Sequence, residues 1–151
     1  MSISELNKWK VRRFFEDVLN DGHLELIDEL VGRDFIGRVG GAAWAVTGPE
    51  GVRRFVADQR IARPGLYIQI EDQIAEGDRV VTRWRASGRA LDSVGPTAPA
   101  RPSPRCAGIT VVRLLAGVQV DAHTHYGDPG ANGQDTRPHW PEVEHTRSRR
   151  R

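Results

Sequence analysis

The run Gly117–Asp128, G-V-Q-V-D-A-H-T-H-Y-G-D, decides how this chain is to be folded. It follows an apolar stretch, Ile109 to Leu115, across a short turn, and then it alternates. Val118, Val120, Ala122, Thr124 and Tyr126 fall on one side, and Gln119, Asp121, His123 and His125 on the other. A period of two marks a strand with two unlike faces. One face is small and apolar. The other carries a carboxylate and two imidazoles, and Asp128 follows just after. That is an unusual choice for a face that only meets water, so the stretch points to chemistry. The plain alternative is an exterior polar face with Tyr126 in the core.

Upstream of this strand the same period recurs. Cys106 to Leu115 is apolar at successive positions, which predicts a central strand covered on both sides. From Arg79 to about Ala90, Val80, Thr82, Trp84, Ala86 and Gly88 point one way, and Val81, Arg83, Arg85, Ser87 and Arg89 the other. The arginine side is expected to be wet or at a subunit contact, so Trp84 faces inward. Glu76-Gly77-Asp78 is a tight turn, and Leu66, Ile68 and Ile70 share one side of the strand before it. Residues 92–104 hold four of the nine prolines and read as a loop.

Before Arg63-Pro64-Gly65 the period is helical. Ser2 and Glu5 have capping-box spacing. Leu6, Trp9, Phe14, Val18 and Leu19 predict a helix over about 4–20, closed at Asp21-Gly22. Leu24, Ile27, Leu30 and Val31 give a shorter helix up to Gly32, and 32–47 reads as a short strand followed by a loop. Gly48-Pro49-Glu50 opens a third helix, whose buried side is Val52, Phe55 and Val56. Helices segregated from strands mean α+β. The expected architecture is a cone, with the N-terminal helices packed on the concave face of a curved, mostly antiparallel sheet around one pocket. The cone takes residues 1–130, and 131–151 forms a polar, basic tail.

The chain has 151 residues, enough for one domain with a real core. Apolar residues make up 38% and charged residues 28%, the balance of a globular protein, and no apolar run approaches a membrane span. The N-terminus lacks the apolar core of a secretory signal. Cys106 is the single cysteine, which excludes an internal disulfide and fits a cytoplasmic setting. The formal charge is only +2, with the excess in Arg147, Arg149, Arg150 and Arg151. No aromatic residues interleave with these arginines, so a solvated tail is expected rather than a nucleic-acid arm.

The order of pieces resembles the SnoaL-like polyketide cyclases, within the nuclear transport factor 2-like superfamily. The resemblance rests on 12–35 (R-R-F-F-E-D-V-L-N-D-G-H-L-E-L-I-D-E-L-V-G-R-D-F), 48–56 (G-P-E-G-V-R-R-F-V), 70–88 (I-E-D-Q-I-A-E-G-D-R-V-V-T-R-W-R-A-S-G), 108–113 (G-I-T-V-V-R) and 123–128 (H-T-H-Y-G-D). The superfamily hosts cyclases, isomerases, epoxide hydrolases and non-catalytic binders, so the fold implies more than the function does. Aldol-type cyclases of the family use an aspartate near the end of the last strand as base. His125 falls at that position and His123 at an earlier family histidine. The match needs one extra residue between Gly117 and His123, hence a bulge. Without it, Thr124 takes the aspartate position and both histidines turn to the other face.

What the resemblance implies is a cofactor-independent cyclase of secondary metabolism, closing a ring in a hydrophobic polyketide-like intermediate. His125 is the expected base, since an imidazole suits proton abstraction near neutrality, with Asp128, His123 or Asp121 orienting it. Trp84, Trp44, Phe35, Thr110 and Tyr126 are expected against the substrate. Arg38 is the expected cation for a carboxylate or enolate oxygen. No metal is implied, although His-x-His with nearby Asp is a pattern that also binds metal. A homodimer, pairing through the outer faces of the 79–90 and 106–115 strands, is expected. The alternatives are an epoxide hydrolase or isomerase in the same pocket, or a non-catalytic binding protein of the self-resistance kind.

Overall fold

A computed structural model describes residues 1–40, 45–87 and 106–127. The proline-rich loop, the tail, Trp44 and Asp128 lie outside the described residues.

The first helix, α1, spans Ile3–Arg13. Its capping box forms as the spacing predicts: the Ser2 hydroxyl accepts from the Glu5 N–H, and the Glu5 carboxylate accepts from the Ser2 N–H at 2.8 Å. Phe14–Asn20 continues it with a wider, π-helical turn. Val11, Phe15, Val18 and Leu19 are buried, whereas Leu6 and Trp9, expected on the inner side, are exposed, and Trp9 lies under the Arg13 guanidinium. Gly22, at φ +77°, ends the segment where expected. Asn20 then pins the helix end to the sheet edge: its amide donates to the Ile68 carbonyl and accepts from the Ile68 N–H.

The second helix is shorter than the spacing predicts. A 3-10 turn at Leu24–Leu26 leads into α2, Ile27–Leu30, and Val31 already belongs to β1, Val31–Val39. A three-residue strand, β2 (Ala45–Thr47), pairs antiparallel with β1 where only a loop was expected. The third helix, α3, is Gly48–Ala62, with Pro49 in its first turn. Then come β3 (Tyr67–Glu76), β4 (Arg79–Ser87), β5 (Cys106–Leu115) and β6 (Val118–Gly127). The sheet order is β2-β1-β6-β5-β4-β3, antiparallel except for the β1–β6 pair. The helices cover one face, so the α+β cone stands.

Strand β5 corrects one expectation. It is central in the sheet but covered on one side only. Thr110, Val112 and Leu114 are buried against the helices, while Ile109 and Leu115 on the other side are 45% and 49% exposed. Helices pack only on the concave face, so the apolar outer positions have nothing over them within the described residues.

Strand β6 carries the decisive correction. The turn Ala116-Gly117, with both residues at positive φ, closes a tight hairpin. Leu115 then faces Val118 and Leu114 faces Gln119, but Arg113 faces Asp121. Val120 is therefore an extra residue, a β-bulge, and after it the parity of side chains inverts. Gln119 points inward, and beyond the bulge Ala122, Thr124 and Tyr126 do so, leaving Asp121, His123 and His125 outside. The bulge required by the resemblance is present, but its effect is the reverse of the one expected from it.

Candidate functional site

The concave face, α3 and the π-helical turn enclose a cavity of about 120 Å³. Phe14, Phe15 and Leu19 close it from the first helix, Val52 and Phe55 from α3, and Phe35, Gly37, Arg38 and Val39 from β1. The floor is Trp84 of β4, Thr110 and Val112 of β5, and Gln119, Ala122, Thr124 and Tyr126 of β6. Of the groups the sequence assigns to substrate, Trp84, Phe35, Thr110, Tyr126 and Arg38 line this cavity. Arg38 is exposed, so it sits at the rim.

Local sequence explains the placement of Trp84. It pairs across the strands with Gly108, and a Cβ on Gly108 would stand 2.4 Å from the Trp84 ring and 2.8 Å from the His125 carbonyl. A glycine inside a strand commonly marks such a close approach, and here the indole lies over it. Trp84 is 4% exposed. Its indole N–H donates to the Thr110 hydroxyl at 2.9 Å, which in turn shares a 2.9 Å hydrogen bond with the Thr124 hydroxyl. The floor thus holds a short chain of neutral groups. A hydroxyl has one proton and two lone pairs. If Thr110 donates to Thr124, the Thr124 proton is left to meet whatever occupies the cavity.

The imidazoles stand on the opposite face. His123 faces Val111 and His125 faces Ile109 across the outer side, both are exposed, and their rings lie 4.3 Å apart. His125 is not placed to take a proton from a molecule in the cavity, nor is His123 placed to orient such a base. Asp121, also outside, accepts from Arg113 Nε at 2.8 Å, and this partnership raises the Arg113 pKa. The ion pair fixes the outer register just past the bulge. Farther along the same face, Arg83 and Arg85 both pair with Glu71. Among the described residues no His, Asp or Glu lines the cavity, and none come together in a group able to hold a metal ion.

Three residues near the cavity went unassigned in the sequence. Gln59 and Gln119, each 2% exposed, line it. Gln59 falls at the helical interval after Val52 and Val56, a position the period assigns to the core, and that was the available signal. Gln119 sits in the polar set of its strand, and nothing short of the bulge distinguishes it. The third is Arg63, at the end of α3. Burial pushes its pKa down, and Cys106 and Tyr126, the latter a cavity-lining residue, oppose that shift.

The family profile for SnoaL-like polyketide cyclases matches residues 10–130. No curated protein sequence matches the chain. Solved structures resemble it over most of their length. A candidate SnoaL-like polyketide cyclase from Jannaschia sp. CCS1 is 23% identical, with 83% of this chain and 88% of that one covered at a TM-score of 0.71. A candidate polyketide cyclase from Acidithiobacillus ferrooxidans is 21% identical, with coverages of 83% and 91% and a TM-score of 0.68. An epoxide hydrolase from M. tuberculosis is 13% identical, with coverages of 83% and 85% and a TM-score of 0.66. At such identities the likenesses establish the fold, a nuclear transport factor 2-like cone. The profile match spans most of the sequence, and on that ground the chain belongs to the SnoaL-like polyketide cyclase family.

Proposed function

We propose that the cone takes up a hydrophobic, polyketide-like molecule and promotes its ring closure by holding it folded, without a histidine base. The observation that carries this is the floor itself: Trp84, Thr110 and Thr124 joined by hydrogen bonds inside an otherwise apolar wall. A flexible chain confined there has already lost the freedom that opposes cyclisation, and reactive ends held in contact gain rate for that reason alone. The Thr124 hydroxyl, at the end of that chain, is a neutral donor for a carbonyl. Arg38 alone among the described lining residues carries a charge at neutral pH, and its place at the rim suits a carboxylate or enolate oxygen left near solvent. Family membership supports the cyclase reading. Epoxide opening draws on carboxylates that the described lining does not offer.

A second reading is a binder that sequesters the same kind of molecule. The absence of an imidazole or carboxylate from the described lining favours it. Linear poly-β-ketone thioesters separate the two. The cyclase reading expects tryptophan fluorescence to report binding and mass spectrometry to show ring formation faster than in buffer. It expects the same rate in a His123→Ala/His125→Ala protein. Thioester that binds but is returned unchanged leaves the sequestering reading, and thioester that does not bind removes both. On the outer face the exposed Ile109, set among Arg-rich positions, favours pairing of two subunits there. A monomer by light scattering at every accessible concentration excludes that pairing.

A further inference from the structure

Gly37 is buried on the cavity side of β1, between Phe35 and Val39, which line the same wall. Its backbone does not call for a glycine. It pairs regularly with Val46 of β2 and Ala122 of β6, and its φ is not in the left-handed region. Glycine weakens a strand interior, where it often marks a close approach. Here the approach is that of a ring. A Cβ at position 37 would stand 2.9 Å from Cε1 and 3.1 Å from Cζ of Phe35, with the Val46 Cβ 3.7 Å away. The edge of the Phe35 ring therefore takes the place of a side chain at 37, and the ring lies back along its own strand. Trp84 over Gly108 repeats the arrangement on β4 and β5. A ring resting on a glycine stays close to the sheet and leaves the space above it open. That space is about 120 Å³. An apolar cavity of about 150 Å³ is enough to hold one benzene molecule.

We propose that Gly37 is a specificity-determining residue: by keeping the Phe35 ring against β1, it sets the cavity to the size of one six-membered ring. A chain entering the cavity then folds one ring at a time, with the remainder trailing out at Arg38. Phe35 is 6% exposed and its ring cannot pass through the strand, so a methyl at position 37 drives it toward the cavity. Close-packed walls do not absorb such a displacement, and the room for a ligand shrinks. A fused two-ring ligand meets the Phe35 ring even in the native protein. This inference rests on the reading of the cavity as a small-molecule site, and it adds the size of the unit bound and the residue that sets it.

Calorimetric titration of the full chain with benzene and with naphthalene tests it. The native protein should favour benzene by about tenfold or more in Kd, and Gly37→Ala should weaken benzene binding by about tenfold. Phe35→Leu removes the ring edge, so naphthalene should bind at least as tightly as benzene. The Gly37→Ala/Phe35→Leu protein should bind both probes as Phe35→Leu does, because the added methyl no longer has a ring to displace. A merely structural defect of the alanine would not be cured by truncating a second core residue. Circular dichroism checks that each variant is folded. Should Gly37→Ala fail to fold, the comparison of Phe35→Leu with the double variant carries the test. Naphthalene bound as tightly as benzene by the native protein overturns the proposal while leaving the cavity a binding site. So does native affinity in Gly37→Ala, or a loss there that Phe35→Leu does not restore. If neither probe binds the native protein, the small-molecule reading falls along with this one.

Discussion

The two faces of the β4–β5–β6 sheet are made from alternate residues of the same strands, yet they share almost no chemistry. The inner face offers Trp84, Thr110, Val112, Ala122, Thr124 and Tyr126 to a cavity that opens to solvent at Arg38. The outer face carries Arg83, Arg85, Arg113, Asp121, His123 and His125, bound into ion pairs or stacked on each other. The groups most readily taken for catalysts are on the face without a cavity. Residue type alone therefore does not locate a site in a two-faced strand. A single inserted residue decides which set meets the ligand, because the side-chain period is two.

The largest expected effect lies on the inner face. Trp84→Ala should cost about 3–5 kcal/mol of stability in denaturant titration, since the ring is nearly fully buried. It should also abolish binding of a flat ligand. Unchanged affinity in that protein would make Trp84 a core residue only, and would break the comparison on its inner side.

Gly108→Ala reaches the same ring from below. A methyl at that position collides with the indole and with backbone, so the ring has to move, and the cost is about 1–3 kcal/mol. Affinity should fall with stability, because the displaced indole no longer reaches the Thr110 hydroxyl. Gly108→Ala with wild-type stability would mean that the Trp84–Gly108 stacking does not set the floor.

The smallest effect is expected outside. His123→Ala with His125→Ala should shift stability by no more than about 0.5 kcal/mol per site, the usual range for surface changes. Turnover or binding in the cavity should keep its wild-type value. A loss of turnover in this double variant would falsify the separation of the two faces and return the imidazoles to the mechanism.

Much of this was legible in the sequence. Ser2 and Glu5 formed their capping box because capping is a local exchange of hydrogen bonds between neighbours in the chain. Gly22, Pro49 and Gly77 punctuated the elements where expected, since backbone preference travels with the residue. The inward direction of Trp84 followed from an unbroken alternation along β4. The reading weakened where periods were interrupted. Leu6 and Trp9 lie on the side of α1 away from its buried Val11, and the Val120 bulge moved His123 and His125 to the outer face. Strand β2 was missed because three residues carry too little pattern to show a period.

What the sequence by itself determined is the order and type of the elements, the α+β class and the family, all of which depend on local propensity, periodicity and motif order. What only the tertiary structure decided is which face of β6 lines the cavity. That choice is made between strands. The tight Ala116-Gly117 turn sets the first pairs, the Arg113–Asp121 ion pair holds the shifted register beyond Val120, and the hydrogen bond of Thr124 to Thr110 completes it. Each partner in those contacts comes from a different strand or from beyond the turn, so the parity of the histidines could be read only after β5 and β6 had been laid side by side.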